Sequence, residues 1–496
     1  MSNTLKDKTA KGLMWGAVNN GATQVLNALF GIILARKLSE SDYGLIGMLM
    51  IFSLIATSLQ DSGFVTALTN RKNATHEDYN SVFWFNVSVS LCIYVIFYFC
   101  APLIADFYDE PLLTSLSRYY FFGFFIASFS IVPRAILFRK LKQKELAVMG
   151  LSSLIISGVT GVTMVFQGMA YWGLATQTLT FNLCVSLFSW YLSGWRPSTR
   201  VAMKPIREMF AFSSKMLLTN IANQINNNIF SVILGKLYNK SEVGFYNQAN
   251  KWNLMGSNTI TGMIQGVAQP VFVQVGDDTE RLRRTFRKML RFTCFICFPA
   301  MFGLSLVAPE FITILIKDKW LPSAYLMRML CVGGAFLPIA ALYYNLIISR
   351  GKSNVYMWNI ISQGITILLA ITASYYLIGE VNIDLFGTHT HLTAIKVMIL
   401  SYITINISWT AIWHHFLKRE IGLSYLDAAK DITPFLVTAA MSVIVTYLVT
   451  STVTNIYLML PLRVALTMMV YLVVLWNLKA NILRECLDYL IKRKNR

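Results

Sequence analysis

The chain has 496 residues, of which 55% are hydrophobic and 14% charged, with mean hydropathy +0.53, far too apolar for a soluble enzyme of this length. The formal net charge is +19, but the basic residues sit in short segments between apolar runs, which speaks for a membrane and against a nucleic-acid partner. Seven cysteines, mostly inside apolar stretches, give neither a disulfide framework nor a metal cluster, so no cofactor is expected.

Apolar stretches of about 20 residues each suffice to cross a hydrocarbon core of about 30 Å. In chain order they predict fourteen spans: 12–35, 43–69, 81–105, 112–137, 147–167 and 171–194, then 208–236, 243–269, 292–316, 323–349, 353–378 and 393–417, and last 432–454 and 456–478. The first is too long for a cleaved signal peptide and is read as a retained anchor. Of the basic residues between spans, 31 fall on the side of the amino terminus and six opposite. The positive-inside rule then places both termini in the cytoplasm.

Spans one and seven are one segment written twice. Residues 20–44 and 220–244 align without gaps, and nine of 25 positions are identical, among them Asn20/Asn220, Gln24/Gln224, Asn27/Asn227, Ser41/Ser241 and Gly44/Gly244. Chance would give roughly two. With six spans between the starts of the copies, both run the same way, as parallel repeats about an axis along the membrane normal. The expected architecture is an all-α polytopic protein with an amino-terminal six-helix lobe (1–207), a second six-helix lobe (208–420), and two supernumerary helices with a basic cytoplasmic tail (421–496).

Asn20, Gln24 and Asn27 fall at i, i+4 and i+7, one helix face, and Asn220, Gln224 and Asn227 repeat it. Such amides are costly against lipid tails. Either they bond between helices or they line a water-filled cleft. Asn223, Asn226 and Asn228 enlarge the second stripe where the first has Thr23, Leu26 and Ala28. Arg118, Lys251 and Arg328 lie in the outer halves of even-numbered spans and are candidates for a cavity that takes anionic oxygens. Lys396 and Arg463, near their helix starts, are expected to snorkel outward, as Lys215 is toward the inner surface. Asp61 is read as an ion-pair partner or a site for a coupling proton or sodium ion.

The run Arg281-Leu282-Arg283-Arg284, with Arg287, Lys288 and Arg291, reads as an amphipathic element on the anionic inner leaflet or as a topology signal. Pro133, Pro270, Pro299, Pro338 and Pro434 predict kinks whose freed carbonyls ease rocking. Gly262 and Gly266 permit close helix approach. Cys294 and Cys297 share only the spacing of a metal motif and are read as structural. His389 and His391 are read as a solvated pair in an outer loop.

The turn Ala35-Arg36-Lys37-Leu38-Ser39-Glu40-Ser41-Asp42-Tyr43-Gly44 resembles the signature turn of bacterial polysaccharide transporters. Asp61-Ser62-Gly63-Phe64, Arg134-Ala135-Ile136-Leu137-Phe138-Arg139-Lys140-Leu141, Val243-Gly244-Phe245-Tyr246-Asn247-Gln248-Ala249, Gln269-Pro270 and Lys319-Trp320-Leu321-Pro322 agree with it. The chain is similar to Wzx-like flippases, in the colanic-acid-exporter branch of the multidrug/oligosaccharidyl-lipid/polysaccharide superfamily. The resemblance implies two lobes in a V-shaped arrangement and alternating access. It also implies export of polyprenyl-diphosphate-linked oligosaccharide across a bacterial inner membrane for capsule, exopolysaccharide or O-antigen. Membrane lipids and polysaccharide polymerase machinery are the partners it implies.

The closest rival is a cation-coupled drug or sodium antiporter of the same superfamily, which would favour aromatic and acidic walls. A membrane glycosyltransferase or ligase would need a sizeable outer loop, whereas the longest here runs only from Gly379 to Leu392. No catalytic carboxylate pair is found, and the chain is read as a transporter rather than an enzyme.

Overall fold

The computed structural model describes residues 3–61, 75–140, 142–198, 203–275, 278–379, 381–385, 388–478 and 482. The chain packs as two compact units, unit 1 (Met1–Asn247) and unit 2 (Gln248–Arg496). The division falls beyond the repeat boundary expected near residue 207 because the second copy's first helix packs on helices of the first copy.

Unit 1 holds α1 (Asn3–Lys37), α2 (Glu40–Asp61), α3 (His76–Tyr108), α4 (Leu112–Arg139), α5 (Gln143–Phe166), α6 (Ala170–Ser193), α7 (Met203–Leu237) and the start of α8 (Lys240–Gln274). Local chemistry sets the ends. Ser39 and Asp42 form a reciprocal cap on α2, with Ser39 N–H donating to Asp42 Oδ2 (2.9 Å) and Asp42 N–H to Ser39 Oγ (3.2 Å). Asn239 Oδ1 accepts from Glu242 N–H (3.1 Å) at the equivalent start of α8. The conserved spacing of the two turns is thus a helix-capping requirement. Thr75 and Asp78 make the same box before α3, and Gly194, with φ 65°, ends α6.

Unit 2 continues through α9 (Thr279–Leu306), α10 (Ala308–Ile316), α11 (Leu321–Gly334), α12 (Leu337–Ser349), α13 (Ser353–Ala373), α14 (Ala394–Ile421), α15 (Tyr425–Val449) and α16 (Ile456–Asn477). Two predicted spans are broken. Span nine is divided at Val307, before Pro309, and span ten at Ala335–Phe336, before Pro338, where a proline opens the next helix. The outer segment, expected as a loop, carries a short antiparallel hairpin, Val381–Leu385 with Thr388–Leu392. This is a local departure from an all-α chain.

Among the described residues, ten segments are long and apolar enough to cross a membrane. The protein is a multi-pass membrane protein. Helices α1, α6, α7 and α8 are long enough but are not among the ten, so the count of fourteen depends on these four more polar helices.

Carbonyls freed by two of the prolines are taken by side chains of neighbouring helices. A proline inside a helix leaves the carbonyl four residues earlier without its N–H donor. Trp190 Nε1 donates to Phe129 O (2.7 Å), the carbonyl freed by Pro133. Tyr471 OH donates to Phe295 O (3.0 Å), freed by Pro299. Ser257 Oγ donates to Gly334 O (3.0 Å) at the end of α11, before the break. The kinks at Pro133 and Pro299 are each fastened to a neighbouring helix.

The apolar face of the basic run is covered by protein. The run forms the first turns of α9, and its apolar stripe Leu282, Phe286 and Leu290 is buried, with Phe286 against Phe272 and Tyr343. Arg287 Nε donates to Asp431 Oδ2 at 2.7 Å, and Arg291 Nε lies 3.3 Å from Asp431 Oδ1. The stripe faces protein, not lipid headgroups.

Candidate functional site

The two copies of the repeat meet inside unit 1, and they meet reciprocally. Ser41 Oγ lies 2.9 Å from Ser241 Oγ. A Cβ added at Gly44 would overlap the backbone carbonyl of Lys240, and one at Gly244 would overlap that of Glu40. Residue 44 thus meets 240 as 244 meets 40, the signature of a two-fold contact between duplicated segments. Only glycine lets the two backbones come so close. Lys236 Nζ pairs with Asp109 (3.2 Å) and Lys240 Nζ with Glu110 (2.8 Å), which bind this contact to the turn between α3 and α4.

The amide stripes run along α1 and α7 from this contact. Asn20, Gln24 and Asn27 are exposed on α1; on α7, Asn220 and Gln224 are half-buried and Asn227 is exposed. Asn228 Nδ2 donates to Gln224 O (2.9 Å), so one extra amide of the second copy is turned back on its own helix. Asn27 also lines a cavity that the stripe pattern misses. Its other α1 walls are Asn19 and Thr23, at i and i+4 to Asn27 at i+8, one position around the helix from Asn20 and Gln24. The remaining polar walls come from α5 and α6, where small uncharged side chains gave no signal in the sequence.

The candidate cations have separate settings. Arg118 is half-buried in unit 1; its Nε donates to Tyr98 O (3.2 Å), the carbonyl that Pro102 leaves free, and its guanidinium lies 4.4 Å from the Tyr98 ring centroid. Lys251, half-buried on α8 in unit 2, has its Nζ 5.5 Å from the Trp252 ring centroid, in a stretch rich in amides from Gln248 to Asn253. The Oδ1 of Asn253 is buried and has no hydrogen-bond partner among the described residues. Arg328 is half-buried on α11, and its backbone carbonyl accepts from Ser305 Oγ (2.8 Å). Asp61 closes α2, and its side chain lies outside the described residues, as does that of Lys215.

Arg463 does not snorkel. It is buried, with Nη1 2.6 Å from Glu310 Oε1 and Nε donating to Thr450 Oγ1 (3.1 Å). Glu310, at the start of α10, was the missed partner. Cys294 and Cys297 are buried and free. Among the described residues nothing lies within 4 Å of a Cβ added at Gly262, and the surroundings of Gly266 fall outside them. Among the described residues, no group of three or more His, Cys, Asp or Glu side chains could hold a metal ion.

The family model described as "Polysaccharide biosynthesis protein" matches residues 33–325. The chain is 25% identical over 359 residues to the lipopolysaccharide biosynthesis protein WzxC of Escherichia coli K12, covering 71% of this chain and 72% of that one. Its fold is similar to that of the lipid II flippase MurJ in an inward closed conformation, with TM-score 0.75 and 14% identity over 93% of this chain and 97% of that one. It is also similar to an inward-facing MATE-family multidrug resistance transporter of the MOP superfamily, with TM-score 0.60 and 16% identity over 81% and 96% of the two chains.

Proposed function

Since this chain belongs to the polysaccharide biosynthesis protein family, we propose that it is a flippase, not an enzyme, that moves a polyprenyl-diphosphate-linked oligosaccharide across a bacterial inner membrane for assembly of a surface polysaccharide. The family match carries the reading, since it extends over residues 33–325 and takes in both repeated turns, 35–44 and 235–244. The relatedness to WzxC and the fold shared with a lipid II flippase support it. Both termini are cytoplasmic in this reading, two six-helix lobes (1–207 and 208–420) alternate access by rocking, and residues 421–496 form an appended pair of helices with a basic tail. Polymerase machinery would receive the exported unit.

The substrate presents a hydroxyl-rich glycan and an anionic diphosphate. The amides Asn20, Gln24, Asn27, Asn220, Gln224 and Asn227 suit the first, and Lys251 and Arg328 the second. Arg118 already holds a backbone carbonyl, and its free N–H groups keep it a candidate. Asp61 is the residue proposed for coupling to a proton or sodium ion. Lys251→Ala should abolish export with unchanged membrane abundance; wild-type export by that variant would remove Lys251 from the substrate path. A strain lacking the protein should lose its surface polysaccharide and accumulate the lipid-linked unit on the cytoplasmic leaflet. Intact surface polysaccharide with heightened sensitivity to cationic dyes would instead place the chain with the drug exporters.

A further inference from the structure

Inside unit 1 a cavity of about 450 Å³ lies among α1, α5 and α6. Its polar walls are Asn19, Thr23 and Asn27 from α1, Ser157 from α5, and Gln177 and Thr178 from α6. No carboxylate and no cation is in the lining. Asn27 is exposed, so the cavity reaches the surface of the unit there, while Asn19 Oδ1 is buried and has no hydrogen-bond partner among the described residues. A buried acceptor of this kind calls for a donor.

We propose that this cavity is a binding subsite for a single uncharged sugar residue of the transported glycan; the proposal rests on the flippase reading and adds to it where and how one part of the substrate is recognised. Three amides each offer both donors and acceptors; Ser157 and Thr178 donate their hydroxyl protons to Leu154 O and Leu174 O of their own helices, so toward a ligand they accept, while Thr23 adds a third hydroxyl. That set matches sugar hydroxyls, which also do both. A diphosphate or an acidic sugar would find no positive charge. A bare cation would find no carboxylate to offset its charge. Phe181 adds an apolar face among the polar groups, and the volume falls within the usual range of small-molecule sites, about 300–1,000 Å³.

The cavity can be closed without disturbing the helices. Gly150 lines it, and a Cβ added there meets only Asn19 Oδ1, at 3.7 Å, an ordinary contact. Gly150→Leu therefore fills the space, and Gln177→Leu removes an amide at nearly constant volume should the first variant fold poorly. The probe is ligand-observed saturation-transfer NMR of the full chain in lipid nanodiscs against free glucose, galactose, N-acetylglucosamine, N-acetylgalactosamine, rhamnose and glucuronate. At least one neutral sugar should give a signal that falls five-fold or more in either folded variant, with no such signal from glucuronate. The same signals in wild type and both variants would overturn the subsite. So would a thermal stabilisation by sodium over choline that Gly150→Leu abolishes, which would make this a cation site. Vesicle transport of the lipid-linked oligosaccharide by the same preparation separates the two levels. Transport without a Gly150-dependent sugar signal removes the subsite and leaves the flippase; absence of transport removes the flippase reading itself.

Discussion

Within unit 1, α4 and α6 are held together by neutral hydrogen bonds; within unit 2, the last two helices add charged fastenings to the neutral bond of Tyr471. In unit 1, α6 is fastened to α4 by neutral side chains donating to backbone carbonyls in three successive rungs: Asn182 to Gly123 O (3.0 Å), Ser186 to Ile126 O (2.9 Å) and Trp190 to Phe129 O (2.7 Å). Gln60 adds a bond from α2 to Ser90 Oγ (2.9 Å). In unit 2 the last two helices carry the charged fastenings. Asp431 of α15 takes Arg287 and Arg291, and Arg463 of α16 takes Glu310. Neutral rungs cost little to desolvate and can be spread along a helix, whereas one buried ion pair concentrates its effect at one point. Helices α15 and α16 are thus pinned at two charged points, and α4 and α6 of unit 1 are knit along their length.

This contrast predicts a ranking of mutational effects. The largest belongs to Arg463, because both partners are nearly sealed, at 6% and 7% exposure. Arg463→Met strands Glu310 and should cost about 3–5 kcal/mol. The double variant Arg463→Met/Glu310→Met should recover most of it in thermal unfolding of the detergent-solubilised protein; no recovery would mean that the pair acts by packing alone. Next comes the glycine contact of the repeat. Gly44→Ala forces apart two backbones and should cost about 1–3 kcal/mol, the range of overpacking, with a similar loss for Gly244→Ala by the reciprocal geometry. Unequal losses at the two sites would argue that the two-fold contact is not energetically symmetric. The smallest effect should come from a rung of the ladder. Trp190→Phe removes one donor to the carbonyl freed by Pro133 and should cost about 0.6–1.7 kcal/mol. A loss as large as that of Arg463→Met would erase the distinction between the two modes.

The course of the helices and the duplication were legible in the sequence because both are written in periodic, local signals: apolar runs, a constant offset of 200 and the capped turn Ser39–Asp42 repeated at Asn239–Glu242. The fastening was not legible. The carbonyl freed by Pro133 is visible in the sequence, but Trp190 reaches it from another helix, and Tyr471 reaches Phe295 O from farther still. Nothing local marks these pairs. Arg463 illustrates the same limit. Its place near a helix start predicts snorkelling, and only the fold brings Glu310 beside it. The stripe at Asn20, Gln24 and Asn27 is periodic and so legible, whereas the cavity walls Asn19 and Thr23 adjoin it on α1 and are set apart only by how the helix packs.

Reconstitution tests most directly whether the chain flips a lipid-linked oligosaccharide. Purified protein is placed in vesicles that carry a polyprenyl-diphosphate oligosaccharide in both leaflets, and the glycan accessible to a membrane-impermeant oxidant is measured. The account predicts that accessibility rises from the outer-leaflet share to nearly all the glycolipid, with no movement of cationic dyes. Accessibility fixed at the outer-leaflet share, with dye transported by the same vesicles, would contradict it.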